Sequence, residues 1–210
     1  MKKKVRLVLI IMLVQLDCFA QEFPHMYFDS SVTWLGLDYS NSRMVGAQGF
    51  VDPDQIVNHY FDVWNKFVIT EPKKYNLKRF LIQSNITINL TYVSDKNKID
   101  PKGIVYEVTN PLSIEKLQEI INGYDFSELT GFGAMMIVES YDKNKETAIY
   151  HFVIVDLDDN KLLHHKKHIA APFGFGFRNY WAASFLIALQ KTEKDLNSMW
   201  WKTKKARKKR

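Results

Sequence analysis

The sequence predicts an α+β fold: a single mixed or antiparallel sheet of about five strands, in the order β-α-β-α-β-β-β-α, with helices packed mainly on one face. Three apolar runs within residues 132–169, separated by two turns rich in Asp and Asn, are typical of an antiparallel meander. The strand-like runs before them alternate with segments of helical periodicity. The 210 residues are 46% apolar, with only 9 Gly and 6 Pro, which is the composition of one folded domain.

The first strand and the first helix follow from local signals. Val32–Asp38 carries apolar side chains on both faces, which indicates a strand buried on both sides. Asp52 is a suitable N-cap and Pro53 a suitable first helical residue, so a helix is predicted to begin there and to end before Pro72. A shorter helix is expected to follow, up to Phe80 or Leu81.

The remaining elements are predicted by periodicity and by capping residues. Residues 85–93 alternate between apolar and polar side chains, which predicts a half-buried strand. Ser113 is predicted to cap a third helix that ends at Gly123. The meander strands and a final long helix are expected at Ala134–Tyr141, Thr147–Asp156, Leu162–Ile169 and Asn179–Leu196.

The charge divides the chain into three regions. The 29 Lys and Arg against 23 Asp and Glu give a formal charge of +6. Residues 1–20 carry +3 and residues 202–210 carry +7, which leaves −4 on residues 21–201. We therefore expect a mildly acidic single domain over residues 21–201, and no binding of nucleic acid by it.

Residues 1–20 are predicted to be a secretory signal peptide that is cleaved after Ala20. Basic residues precede the apolar run 7–14, which is too short to span a membrane, and a small-residue cleavage site follows. A retained anchor and lipidation of Cys18 are the alternatives, although Asp17 disfavours lipidation. We expect an exported bacterial protein, periplasmic or associated with the outer membrane. Cleavage would remove its only cysteine and thereby exclude thiol chemistry.

Three histidines on one predicted strand, His164, His165 and His168, raise the question of a metal site. Residues four apart on a strand lie roughly 13 Å from each other, which is too far for His164 and His168 to share one ion. His164 could still meet His151 across neighbouring strands, but the two intervening lysines would repel a cation. We predict no metal site and no cofactor.

The candidate ligand-binding residues are Gly174, Gly176, Arg178 and Asn179. They stand between a strand and a helix, where a loop that binds an anion would be placed. Asn179 occupies the position of the third glycine of the dinucleotide fingerprint, and no GK[ST] follows. A tight glycine turn, with its two phenylalanines packed against the domain, is the plainer interpretation.

Residues 202–210 are predicted to be a disordered basic tail that contacts an envelope protein or an anionic envelope surface. Two tryptophans precede the tail, and tryptophan favours interfaces. A solvated tail that only increases solubility is the alternative. The candidate surface-binding residues are Trp200, Trp201, Lys204, Lys205, Arg207, Lys208, Lys209 and Arg210.

The sequence contains no recognisable catalytic set. Neither GxSxG nor HExxH occurs, and the two SxxK matches at Ser113 and Ser140 lack the companion motifs of β-lactamase-type enzymes. Asp38, Glu139 and Asp156 are candidate acids on predicted strands, but no pattern pairs them. We therefore predict no catalytic residue.

Four segments carry a family resemblance: Trp34–Ser40, Tyr75–Leu77, Tyr150–Asp156 and, most specifically, Gly174–Ala182. With them the chain resembles a widespread family of uncharacterised secreted bacterial proteins over most of residues 30–190. The order of elements is similar to the α+β domains of curli-secretion-type lipoproteins and to the N-terminal domain of the periplasmic Tol-system propeller protein. The resemblance implies interaction within the cell envelope and supplies no catalytic residue.

Three functions are compatible with these observations. The leading hypothesis is a non-enzymatic domain that binds a protein or a surface of the envelope. The alternative is a domain that binds a small ligand or an anion through the 174–179 loop. The third is a hydrolase with an unrecognised carboxylate site, which would need a buried carboxylate pair facing a cleft.

Overall fold

A seven-stranded sheet runs through the part of the chain that the structure, a computed structural model, describes: residues 24 and 26–208. The predicted signal peptide, Lys209 and Arg210 lie outside the described residues. The strands are β1 (Val32–Asp38), β2 (Arg43–Val45), β3 (Ile86–Ile88), β4 (Val105–Tyr106), β5 (Phe132–Asp142), β6 (Thr147–Asp156) and β7 (Lys161–Ala170). The helices are α1 (Pro53–Gln55), α2 (Phe61–Thr70), α3 (Leu77–Phe80), α4 (Thr91–Lys96), α5 (Ile114–Asn122) and α6 (Phe177–Arg207), and a π-helical turn (Ile56–Tyr60) joins α1 to α2.

Strand β5 lies at the centre of the sheet. On one side it pairs in parallel with β1 along its first half and with β2 along its second half, so that Val32 faces Phe132 and Val45 faces Asp142. Strands β3 and β4 extend this side by parallel pairing with β1 and β2, respectively. On the other side, β6 and β7 follow in antiparallel order. Parallel pairings therefore predominate.

The predicted fold class is wrong. The fold is α/β, with a mostly parallel sheet of seven strands, and not α+β with about five mixed or antiparallel strands. The three strands β5, β6 and β7 do form the expected meander. This part of the sheet is predictable from sequence because tight turns between hairpin strands have a recognisable local composition. A parallel pair needs a long crossover connection, so nothing in the sequence between β1 and β5 marks them as neighbours.

Helices cover both faces of the sheet, and not mainly one face as predicted. On one face, Trp64 of α2 and Phe185 of α6 belong to a large buried cluster with Met136 of β5. On the opposite face, Leu117 of α5 belongs to a second cluster with Met135 of β5. Because successive side chains of a strand point to opposite faces, β5 contributes to both cores.

Two asparagine side chains complete the hydrogen bonding of β1 at its carboxyl end. Asn65 accepts a bond from the Leu37 N–H at 2.7 Å and donates to the Leu37 carbonyl at 3.0 Å. Asn97 donates to the same carbonyl at 2.9 Å and accepts from the Tyr39 N–H at 2.6 Å. Gly36 stands at a β-bulge in this strand with a φ of 110°, a conformation that glycine adopts without strain.

The two predicted helix caps are confirmed. The Asp52 carboxylate accepts the N–H of Gln55 at 2.9 Å, and the Ser113 hydroxyl accepts the N–H of Lys116 at 3.2 Å. Both bonds satisfy N–H groups that a helix leaves without an internal partner.

The predicted strand over residues 85–93 is wrong beyond Ile88. Strand β3 covers three residues, and α4 begins at Thr91. The turn forms because the Asn89 side chain accepts the N–H of Thr91 at 3.2 Å, a local bond that competes with strand pairing. The alternating pattern therefore continues into a helix.

Helix α6 extends well beyond the predicted Asn179–Leu196. It ends at Arg207, so residues 202–207, which the sequence predicts to belong to a disordered tail, form its last turns. The segment contains no Gly or Pro, and its cations lie at the helix end where they interact favourably with the helix dipole. Among the described residues, no helix combines the length and the hydrophobicity needed to span a membrane.

A chain of buried hydroxyl groups crosses the larger core. The Tyr141 hydroxyl bonds to those of Tyr39 and Tyr150, each at 2.9 Å, and the Tyr150 hydroxyl bonds to Ser184 of α6 at 2.8 Å. Burial raises the pKa of all three tyrosines well above the usual value, so the hydroxyls remain protonated. These hydrogen bonds link β5, β6 and α6 to Tyr39, the residue that follows β1.

Candidate functional site

The structure divides the four predicted ligand-binding residues between two places. Gly174 and Gly176 line a cavity of about 270 Å³ at the start of α6, together with Lys143 and Tyr180. Both glycines have a positive φ, and Gly176 directly precedes the first helical residue. The Lys143 ammonium donates to the Tyr180 hydroxyl at 3.2 Å, so the one cation of this cavity already has a partner.

Arg178 and Asn179 do not line that cavity. Arg178 donates to Asn179 at 3.0 Å and to Glu71 at 3.3 Å, and its guanidinium lies over the Phe67 ring at 4.4 Å. The arginine therefore joins the start of α6 to the end of α2. The predicted anion site is not assembled as one group of side chains.

The two phenylalanines of the loop behave differently. Phe177 packs against the aromatic rings of Tyr60 and Trp64, with ring centres 4.9 and 5.9 Å away. Phe175, by contrast, is 96% exposed, so the expectation that both rings pack is wrong for it. Because Gly174 and Gly176 flank it with positive φ, the chain holds Phe175 away from the domain.

The predicted surface-binding residues lie at the carboxyl end of α6. The rings of Trp200 and Trp201 meet edge to face at 4.8 Å, and the Lys204 ammonium lies 4.5 Å from the centre of the Trp200 ring. Trp201 is 56% exposed. Lys205 and Lys208 are also exposed, and Arg207 pairs with Asp29. Lys209 and Arg210 lie outside the described residues.

The structure also shows a buried polar cluster that the sequence did not predict. Glu139 of β5 accepts hydrogen bonds from His151 of β6 at 2.9 Å, from Lys167 of β7 at 2.9 Å and from the N–H of Leu112 at 3.0 Å. The other ring nitrogen of His151, Nδ1, lies 2.8 Å from the Nε2 atom of His165. The cluster joins three strands to the segment that leads into α5.

Hydrogen bonds keep Glu139 ionised although it is only 1% exposed. Burial opposes the charge, but the bonds from His151, Leu112 and Lys167 outweigh it and lower the pKa of Glu139 to about 2. Because an ionised carboxylate only accepts hydrogen bonds, the Nε2 atom of His151 must carry a proton. Burial, together with neighbouring histidines and lysines, lowers the pKa of His165 to about 4.

The histidines do not converge on one metal position. His151 uses one ring nitrogen for Glu139 and the other for His165, while His168 lies on the opposite face of β7 and bonds to Thr192 of α6 at 3.0 Å. Within residues 24 and 26–208, no three His, Cys, Asp or Glu side chains are placed to hold a metal ion.

The three candidate acids each have donors of their own. Glu139 is held as described above, and Asp156 accepts the N–H of Asp158 at 3.1 Å. Asp38, which is fully buried, accepts the Tyr124 hydroxyl and the N–H of Ser40, both at 2.7 Å. These carboxylates therefore serve to fix loops and strands together.

A sequence signal for the cluster was present. Glu139 directly follows the apolar part of β5 and His151 stands within the apolar part of β6, where a titratable side chain must find a partner or shift its pKa. Pairing the two required the register between β5 and β6, which the sequence does not give.

No family model, no curated protein and no solved structure matches this chain. The resemblance over residues 30–190 therefore stays a prediction, and so does the signal peptide of residues 1–20.

Proposed function

We propose that the chain is an envelope-associated binding protein that attaches to an anionic surface through the end of α6. The observation that carries this proposal is the exposed, cationic and tryptophan-bearing tip of the helix. Leu196 is the last fully buried residue of α6, and the eleven residues that follow it in the helix contain no carboxylate. We define residues 200–208 as the basic tip.

The charges of the basic tip are available to a partner. Lys202, Lys204, Lys205 and Lys208 form no ion pair with any other described residue, whereas Arg207 pairs with Asp29. At low salt each cation near an anionic lipid surface contributes about 1 kcal/mol. Four such cations would contribute about 4 kcal/mol, a sum that falls as salt screens the charges.

The tryptophans supply the second part of an interfacial site. Trp201 is mostly exposed, and its indole combines a large apolar ring with one N–H donor, which suits the boundary between lipid headgroups and acyl chains. Because Trp201 is next to the cations, its ring and their charges would reach the same level of the lipid headgroup layer.

Vesicle binding tests the proposal. The full chain should co-sediment with phosphatidylglycerol-containing vesicles and much less with pure phosphatidylcholine vesicles, and added salt should weaken the binding. The double variant Lys204→Glu and Lys205→Glu should lower the affinity by at least about tenfold. Lys73→Glu with Lys74→Glu, an exposed lysine pair elsewhere, gives the same net charge and is the control.

Two results would contradict this function. One is equal binding to neutral and anionic vesicles. The other is an equal loss of binding in both double variants, which would assign the effect to net charge and not to the basic tip. The variant Trp201→Ala separates the aromatic from the ionic contribution, because it keeps every charge.

Export is part of the proposal and depends on the predicted signal peptide. If residues 1–20 are removed, the mature protein begins at Gln21. N-terminal sequencing of the protein recovered from bacterial envelopes would show this, and a retained Met1 would contradict it.

An envelope protein as partner is the second candidate, favoured by the exposed rings of the 173–176 loop. Phe173 and Phe175 are both exposed, next to the cavity lined by Gly174 and Gly176. A photo-crosslinker at Phe175 should give a defined adduct in envelopes. The same crosslinker at Ile69, another exposed apolar position, should not. Identical adduct patterns at both positions would contradict a specific partner.

A further inference from the structure

A cavity of about 490 Å³ lies beside the break between β1 and β2. Its walls come from the β1–β2 loop (residues 40–42) and Arg43 of β2, from residues 99–106, and from residues 110–116 at the start of α5. The volume is typical of sites for small molecules. The β1–β2 loop lies beside the middle of β5, because β1 pairs with the first half of β5 and β2 with the second half.

Arg43 is the cation that this cavity offers without a carboxylate partner. Its guanidinium lies over the Tyr106 ring at 4.2 Å, and one N–H reaches the Val108 carbonyl at 3.4 Å. Within residues 24 and 26–208 it forms no ion pair. An arginine carries five N–H donors in a planar fork, so most of them remain free for an acidic group.

The rest of the lining combines apolar residues with polar side chains and with charges of both signs. Lys116 is a second cation, although its ammonium is 2.7 Å from Glu119 at the surface. Ser42 and Asn110 add a hydroxyl and an amide. Asp100 is the carboxylate of the lining, and it is exposed at the rim. Cations therefore outnumber carboxylates, while the carboxylate could accept a hydrogen bond from a ligand.

Buried groups fix two of the walls. The N–H of Ser40 donates to Asp38, whose other oxygen is held by the hydroxyl of Tyr124. The N–H of Leu112, on the opposite wall, donates to Glu139. Since both carboxylates are buried and each accepts hydrogen bonds from at least two groups, the walls are held before any ligand arrives, and less ordering is needed on binding.

We infer that this cavity binds a small organic acid, whose carboxylate or phosphate group pairs with Arg43 and whose hydroxyl or amino groups face Asp100 and the polar wall. A planar guanidinium donates paired N–H bonds to the oxygens of either a carboxylate or a phosphate, so the arginine sets the charge of the ligand. The volume exceeds that of an inorganic anion and leaves room for an organic part. This inference is independent of the proposed attachment through α6.

Titration calorimetry on the full chain tests the inference. The probes are inorganic phosphate, glycerol 3-phosphate and malate, with glycerol as the uncharged control. We expect binding of at least one organic acid and none of glycerol; stronger binding of glycerol 3-phosphate or of malate distinguishes phosphate from carboxylate recognition. Arg43→Gln should weaken the binding by about tenfold or more, because charged hydrogen bonds are lost.

Two further variants keep the test decisive. Lys116→Gln should weaken binding without touching Arg43, and it covers the case in which Arg43→Gln fails to fold. Arg79→Gln, which removes an exposed arginine outside the cavity, should leave binding unchanged. The inference is overturned if none of the three acids binds, if only inorganic phosphate binds, or if the two cavity variants bind as the wild type does.

Discussion

Replacing Glu139 with glutamine removes one buried charge and almost no volume. In the folded chain the pKa of Glu139 is lowered to about 2, against an ordinary value of 4.5. That difference corresponds to about 3 kcal/mol of stability at neutral pH. We therefore expect Glu139→Gln to lower the free energy of unfolding by about 3 kcal/mol at pH 7.

The pH dependence gives the same prediction a second test. A carboxyl whose pKa is lowered by folding contributes its full stability above pH 4.5 and loses it as the pH falls towards about 2. Glutamine does not titrate, so the difference in unfolding free energy between wild type and variant should become smaller between pH 5 and pH 3. Urea denaturation at pH 7, 5 and 3 measures this difference.

A surface ion pair provides the control for the Glu139 variant. Asp62 pairs with Lys66 at 2.7 Å, and both side chains are about half exposed. Asp62→Asn should change the free energy of unfolding by no more than about 0.5 kcal/mol. Two results would refute the idea that ionised Glu139 stabilises the fold through this cluster. One is a loss of unfolding free energy below about 1 kcal/mol for Glu139→Gln at pH 7, and the other is a difference between wild type and variant that stays constant down to pH 3.

Three more predictions concern the core and the backbone. Gly36→Ala should lower the free energy of unfolding by roughly 2 kcal/mol or more, because φ is 110° and the new Cβ would collide with Asn65. Gly103→Ala is the control: its Cβ would meet no atom within 4 Å, so the variant should be neutral or stabilising by about 0.5 kcal/mol. The urea midpoints of the two variants test this difference. Tyr141→Phe leaves two buried tyrosine hydroxyls short of a partner and should cost about 1–3 kcal/mol; an unchanged melting temperature would contradict the buried hydroxyl chain. Burial lowers the pKa of His168 to about 4, so the unfolded chain takes up the proton first and stability should fall as the pH drops from about 6.5 to about 4. In urea titrations over that pH range, the free energy of unfolding of His168→Gln should fall less steeply than that of the wild type. An identical slope for the two proteins would contradict the assigned effect of His168.

The fold was predictable where the signals are local. Asp52 and Ser113 cap their helices as expected, because a cap needs only residues within one turn. The meander was recognisable from its turns. Strand β1 was placed correctly, and its apolar residues on both faces already indicated burial on both sides. What the sequence could not supply was the identity of its neighbours, since β3 and β5 are distant along the chain.

The sites were less predictable than the fold because they depend on register. The possible pairing of His151 with His164 does not form, because β6 and β7 pair so that His151 faces Lys167 and contacts His165. No motif surrounds Arg43, the first residue of β2, so the sequence does not mark it as a binding residue. Arg178 stands in a recognisable pattern, but it pairs with Glu71, the residue that follows α2.

Helix α6 sets a length scale for the molecule. Its 31 residues extend for about 46 Å at 1.5 Å per residue. The exposed ring of Phe175 precedes one end, and the basic tip forms the other. A protein held to a surface by the tip would therefore carry Phe175 up to about 46 Å above that surface. The helix would then act as a spacer, so that a lipid surface and a second macromolecule could be engaged together without competing for the same space.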